Sequence, residues 1–180
     1  LLSGGRGVAL PEGDSLANEE FLVVADLDGG PNGAALADDG WVYICNSGGW
    51  IYEPRGELTW PLGQSDVPGW IERVHLATGA HEVLYERCGA IGLRSPNDIV
   101  LDGHGGFYFT DHGLTVGRDD KITGIYYAKA DGSFVREVVF PAHSPNGIGL
   151  SPDGTVLYVL QGMRGTPGSI TDVFKGVMPF

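Results

Sequence analysis

The chain has 180 residues, and 11 Lys and Arg against 23 Asp and Glu leave a formal net charge of −12. Without a Lys/Arg cluster, that charge argues against nucleic acid or an anionic membrane as partner, and a hydrophobic fraction of 42% excludes a disordered acidic chain. Thirty glycines, against a usual share of roughly 7%, and 11 prolines without a collagen period point to frequent turns between short strands. The start, Leu1-Leu2-Ser3-Gly4-Gly5-Arg6, lacks the basic region and long apolar stretch of a signal peptide, and no apolar run approaches the roughly 18 residues of a spanning helix. There is no initiator Met either, so the chain reads as processed or as part of a longer protein, and its compartment is not legible.

The first expected element is a strand over Phe21–Ala25, preferred to a helix over Leu16–Leu22. A repeat then begins. Pro31-Asn32-Gly33-Ala34-Ala35-Leu36 aligns without gaps to Pro96-Asn97-Asp98-Ile99-Val100-Leu101 and to Pro145-Asn146-Gly147-Ile148-Gly149-Leu150. Each copy reaches a glycine eight residues after its Asn (Gly40, Gly105, Gly154) and then an apolar, aromatic run: Trp41–Ile44, Phe107–Phe109 and Val156–Val159. Each unit predicts strand, glycine turn, strand. Between the units, Ile71–Leu76 and His81–Tyr85 flank Thr78-Gly79, while Gly124–Ala128 and Phe134–Phe140 flank Asp131-Gly132. These are hairpin signals, because Gly accepts the positive φ of a tight turn.

Four antiparallel strands per unit, with the Asn residues 65 and then 49 positions apart, is the pattern of β-propeller blades. The longer interval predicts an insertion over Glu53–Gly69, and no segment has the sustained spacing of a long helix. Six blades of about 45 residues need roughly 270, so the expectation is a single all-β domain over 1–180, an incomplete propeller of three to four blades with a divergent tail over 160–180. Cys45 and Cys88, far apart and in no C-x-x-C pair, read as two buried thiols.

The three motifs in this order resemble the family of senescence marker protein (regucalcin), gluconolactonase and luciferin-regenerating enzyme. The strongest segments are Ser95-Pro96-Asn97-Asp98 with Gly106-Phe107-Tyr108-Phe109-Thr110-Asp111-His112-Gly113, and Ser144-Pro145-Asn146-Gly147-Ile148-Gly149-Leu150 with Ser151-Pro152-Asp153-Gly154. The resemblance implies a six-bladed propeller with one divalent metal in its channel, Ca²⁺ first and Zn²⁺, Mg²⁺ or Mn²⁺ as other occupants, that opens sugar lactones or related cyclic esters. It also implies a ligand set of a Glu, two Asn and an Asp, with Asn97 and Asn146 at the two Asn positions. The family's Glu, in a Glu-Gly-Pro motif, has no match beyond Glu12-Gly13-Asp14, and no Pro-Asp-Gly blade start follows Val159.

Carboxamide oxygens are hard neutral donors suited to such ions, although Asn after Pro also simply makes a turn, the preferred reading for Asn32. Asp98 orients a ligand, contacts substrate or bonds backbone amides. Asp111 and His112, at a strand end, are the remaining candidates for a proton carrier, and Trp60 is the candidate for a substrate wall. The chain as given is expected to have little lactonase activity. The competing reading is a non-catalytic propeller scaffold.

Overall fold

The computed structural model describes residues 30–55, 58–116, 119–121, 123–162 and 170–177. The strand expected over Phe21–Ala25, the helix alternative over Leu16–Leu22 and Glu12-Gly13 lie outside the described residues. Among the described residues every regular element is a strand.

The first blade is the antiparallel sheet β1 (Pro31–Leu36), β2 (Trp41–Asn46), β5 (Trp70–His75) and β6 (His81–Tyr85), in that spatial order. Between β2 and β5 the inserted segment folds into its own hairpin, β3 (Trp50–Arg55) with β4 (Leu58–Gln64), three residues earlier than the composition suggests. A short ribbon, β7 (Arg87–Cys88) with β8 (Ile91–Gly92), leads to the second blade. That sheet contains β9 (Pro96–Leu101), β10 (Gly106–Asp111), β13 (Thr123–Lys129) and β14 (Val135–Ala142), and again a hairpin, β11 (Leu114–Val116) with β12 (Asp119–Lys121), interrupts it after the second strand. The third sheet has β15 (Pro145–Leu150), β16 (Val156–Gly162) and β17 (Ile170–Val177). The tail thus supplies a strand whose Val177 pairs with Val156 and whose Ile170 pairs with Gly162.

The Pro-Asn strands β1, β9 and β15 are the first strands of the three sheets, and β9 packs against both of the others. The period of two sends alternate side chains to opposite faces, so a blade can pack on both sides, as the second does here. Phe107 and Phe109 of β10 join Tyr43, Cys45, Ile71 and Tyr85 of the first blade in one core. Tyr108 of the same strand faces the other way, into a core with Leu157 and Val159 of the third. Gly40, Gly105 and Gly154 have φ between 70° and 86°, the left-handed conformation their turns require. Cys45 is buried and Cys88 half-buried, and both are free thiols. Burial, then the charges of Asp98 and Asp111, push the Cys45 thiol well above its ordinary range.

Candidate functional site

The registers Pro31 with Asn46, Pro96 with Asp111 and Pro145 with Gln161 put all three Pro-Asn strand starts at one end of the arc. The loops that carry β3–β4 and β11–β12 leave the sheets at that same end, and β4 touches β11. The mouth is therefore built from three strand starts under two projecting hairpins. Trp60 lies in β4, opposite Glu53.

Blades one and two are stitched together at the mouth by side chains of the first hairpin's base. The Ser47 hydroxyl donates to the Pro96 carbonyl at 2.9 Å and accepts from Asn32 Nδ2 at 3.4 Å. The Trp50 indole donates to Ser95 Oγ at 2.8 Å, and Gln64 Nε2 donates to the carbonyls of Ser47 and Arg94. Asn32 thus lies within β1 and spends its side-chain amide on Ser47, not on a turn of its own backbone as the sequence reading preferred.

The carboxylates that the motifs single out are committed to backbone. Asp98 accepts the amide of Ile99 on Oδ1 and that of Ile148, in the next blade, on Oδ2, each at 2.9 Å. Asp111 is fully buried and accepts three amides: Arg94 at 2.7 Å, Ser95 at 2.8 Å and Gly113 at 3.0 Å. Burial raises its pKa above the ordinary carboxylate value, although the three N–H groups pull the other way. The Thr110 hydroxyl, buried between the second and third blades, donates to the Asn146 carbonyl at 2.7 Å. Ser47, Ser95 and Thr110 form the mouth's scaffold without any signal in the sequence, because a serine or threonine in a loop is ordinary until its partner strand is known.

His112 is half-buried beside Trp50, with ring centroids 6.4 Å apart. Its Nδ1 lies 3.4 Å from the Gly113 carbonyl, which only accepts, so the proton sits on Nδ1 and Nε2 keeps its lone pair. Burial lowers its pKa against the opposing pull of Gly113 and Asp111, and the ring is neutral at neutral pH.

Asn97 is 9% exposed and Asn146 is exposed. Among the described residues neither carboxamide meets a side-chain or backbone partner, in contrast to Asn32, Asn46, Asp98 and Asp111. No cluster of three or more His, Cys, Asp or Glu of metal-holding geometry occurs among the described residues. A cavity of about 440 Å³ lined by Leu36, Asp38, Tyr43 and Leu101 opens between the first two blades at the opposite end, where the β1–β2 and β9–β10 turns lie. It is remote from the Asn residues.

Residues 14–170 match the SMP-30/Gluconolactonase/LRE-like region. The chain belongs to this family. It is 29% identical over 146 residues to a gluconolactonase of Zymomonas mobilis, covering 77% of this chain and 35% of that protein. Lactonase drp35 of Staphylococcus aureus is 38% identical over 66 residues, which are 36% of this chain and 19% of that one. The chain therefore spans about a third or less of the curated relatives it matches. Among solved structures, a gluconolactonase of Xanthomonas campestris superposes with a TM-score of 0.55 at 24% identity, over 81% of this chain and 48% of its own. A nidogen/laminin complex follows at 0.51 and 22%, over 73% and 39%. At these identities the two structures speak to the fold alone, and the gluconolactonase agrees with an all-β propeller.

Proposed function

We propose that this chain is the part of a lactone hydrolase that carries two of its metal-holding side chains, with the remaining ring of blades supplied from outside these three. The observation that supports this most is the pair of unpartnered carboxamides, Asn97 and Asn146, at matching positions on adjacent strands, in a mouth whose carboxylates, Asp98 and Asp111, are bonded to backbone. Asn146 is exposed and no atom of Asn97 is sealed off without a partner, so both carboxamides are open to a ligand at no cost of breaking an internal bond. Two neutral oxygen donors suit a hard divalent ion, Ca²⁺ first and Zn²⁺, Mg²⁺ or Mn²⁺ after it. When bound, such an ion polarises the lactone carbonyl.

The chain's own residues do the rest. Asn97 and Asn146 fix the position of the ion. The hairpin β3–β4 leaves its sheet at the mouth end and carries Trp60, the candidate substrate wall, on its second strand; the Trp60 side chain lies outside the described residues. For the proton, three candidates follow from the sequence: Asp98, Asp111 and His112. The oxygens of both aspartates already accept backbone amides, so His112, with Nε2 unprotonated, is the best placed to take a proton from the attacking water. Water adds to the carbonyl carbon, the ring C–O bond breaks, and the proton returns to the departing alkoxide. Lactone hydrolysis also agrees with the gluconolactonase and lactonase relatives.

Two neutral ligands hold a hard cation poorly and three blades leave the mouth open, so this chain alone should turn over lactones slowly or not at all. The test is hydrolysis of gluconolactone and a panel of other lactones with each of the four metals. We expect metal-dependent turnover from the protein with its full ring, lost in Asn146→Ala, and little from these 180 residues. Turnover by the full ring that Asn146→Ala leaves unchanged would contradict the assignment. A second reading, a non-catalytic propeller scaffold, is favoured by the commitment of Asp98 and Asp111 to backbone, and the absence of any turnover with every metal would select it.

A further inference from the structure

The three motif strands repeat so closely that the places where one blade departs from the other two stand out. The residue after each motif Asn is Gly33, Asp98 and Gly147, so of the three only the second blade carries a side chain there. On the second strands, the residues paired with the motif prolines are Asn46, Asp111 and Gln161. Those just before them are Cys45, Thr110 and Leu160, and only the second blade has a hydroxyl.

The two departures meet. The fully buried Thr110 hydroxyl accepts the Asp98 amide at 3.1 Å. Its single proton goes to the Asn146 carbonyl at 2.7 Å, the nearer of two acceptors, since the Asp98 carbonyl is 3.5 Å away. Asp98 grips the same segment two residues on, accepting the Ile148 amide on Oδ2 at 2.9 Å, while its Oδ1 accepts the corresponding amide of its own blade, Ile99. Between the two gripped residues stands Gly147, where the backbone would otherwise have the most freedom. The joint between the first and second blades has no such bracket, because Gly33 has no side chain to offer and Cys45 packs into an apolar core.

The bracket lies on the one joint that separates the two free carboxamides. Asp98 follows Asn97 directly, and Thr110 bonds the Asn146 carbonyl itself, so a single hydroxyl ties the backbone of one donor to that of the other. We propose that Thr110 is a positioning residue for this donor pair, its hydroxyl acting with Asp98 to hold Asn146 in fixed relation to Asn97. The inference rests on the metal reading given above. It follows from the chemistry of a site with few ligands, whose affinity depends on how rigidly those ligands are held and on the groups that orient them.

The side-chain amide signals of Asn97 and Asn146 in nitrogen-15 NMR spectra, followed through a Ca²⁺ titration, test this without any activity measurement. In the wild type both signals should move with one midpoint. Thr110→Val keeps the branched shape and removes the hydroxyl, and should raise that midpoint severalfold at a temperature where circular dichroism shows it folded. Thr110→Ser, which keeps the hydroxyl, should bring it back. If Thr110→Val does not fold, Asp98→Asn takes its place with the same expected rise, since its one carboxamide oxygen cannot serve both the Ile99 and the Ile148 amides. A hydroxyl that only stabilises the fold would lower the thermal midpoint of the variant and leave its Ca²⁺ midpoint at the wild-type value, which would overturn the proposal alone. Wild-type signals that ignore Ca²⁺, Zn²⁺, Mg²⁺ and Mn²⁺ would contradict the metal reading itself, and the proposal would fall with it.

Discussion

Asp111 shows how a residue's chemistry is decided by what surrounds it. Three converging amides make it the knot of the loop before Pro96-Asn97, and the Thr123 hydroxyl also bonds its carbonyl. Asp111→Asn replaces an acceptor oxygen with an N–H donor facing backbone N–H groups. We expect a loss of roughly 1–3 kcal/mol in denaturant unfolding, and a wild-type midpoint would show that the knot is dispensable. The His112 imidazole, held down by burial, should titrate below the ordinary 6.5 in an NMR pH series. Because its folded pKa lies below the unfolded one, its neutral form stabilises the fold above pH 6.5, and that contribution is lost as pH falls through the folded value. A midpoint at or above 6.5 contradicts the neutral, proton-accepting ring. At this scale the sequence indicates which residues gather at the mouth, since Pro-Asn and Thr-Asp-His-Gly are local motifs. It does not indicate which of them are spent: whether Asp98 meets a ligand or an amide depends on Ile148, 50 residues away in another blade.

At the scale of elements, the close approach of the innermost strands fixes the arc. An added Cβ on Gly33 would lie 2.6 Å from the Asp98 Cα and 2.7 Å from the Asn97 carbonyl, backbone atoms that cannot turn aside. Gly33→Ala should therefore pry the first blade from the second, at roughly 1–3 kcal/mol, with earlier hydrogen exchange in β1 than in β16. Equal protection in variant and wild type would show that the strands are free to separate. The hairpin β3–β4 depends on its base, so Gln64→Ala should speed exchange of the β3 and β4 amides by severalfold while β9 and β10 keep theirs. Strands were legible wherever a glycine turn brackets an apolar run, which covers both full blades. The insertion was legible as surplus length but not as a hairpin, since only its pairing shows Pro54 and Pro61 within strands. The strand Ile170–Val177 was missed because its place is set by the free edge of β16 rather than by a motif of its own.

For the whole molecule, family membership and the fold agree, and the chain spans 35% of one curated relative and 48% of a structural neighbour. The repeat made the architecture legible from the sequence, because every blade solves the same packing problem with the same positions. The site was less so, because a channel mouth is assembled from several blades whose contributing residues lie far apart in sequence. The account turns on Asn97 and Asn146 as the two donors left free for a hard cation. Calorimetric titration of Ca²⁺ into the chain tests this most directly. We predict weak binding, in about the millimolar range expected of a site with few charged ligands, abolished when Asn97→Ala and Asn146→Ala are combined. Tight binding that survives the double substitution would place the ion elsewhere and contradict the account.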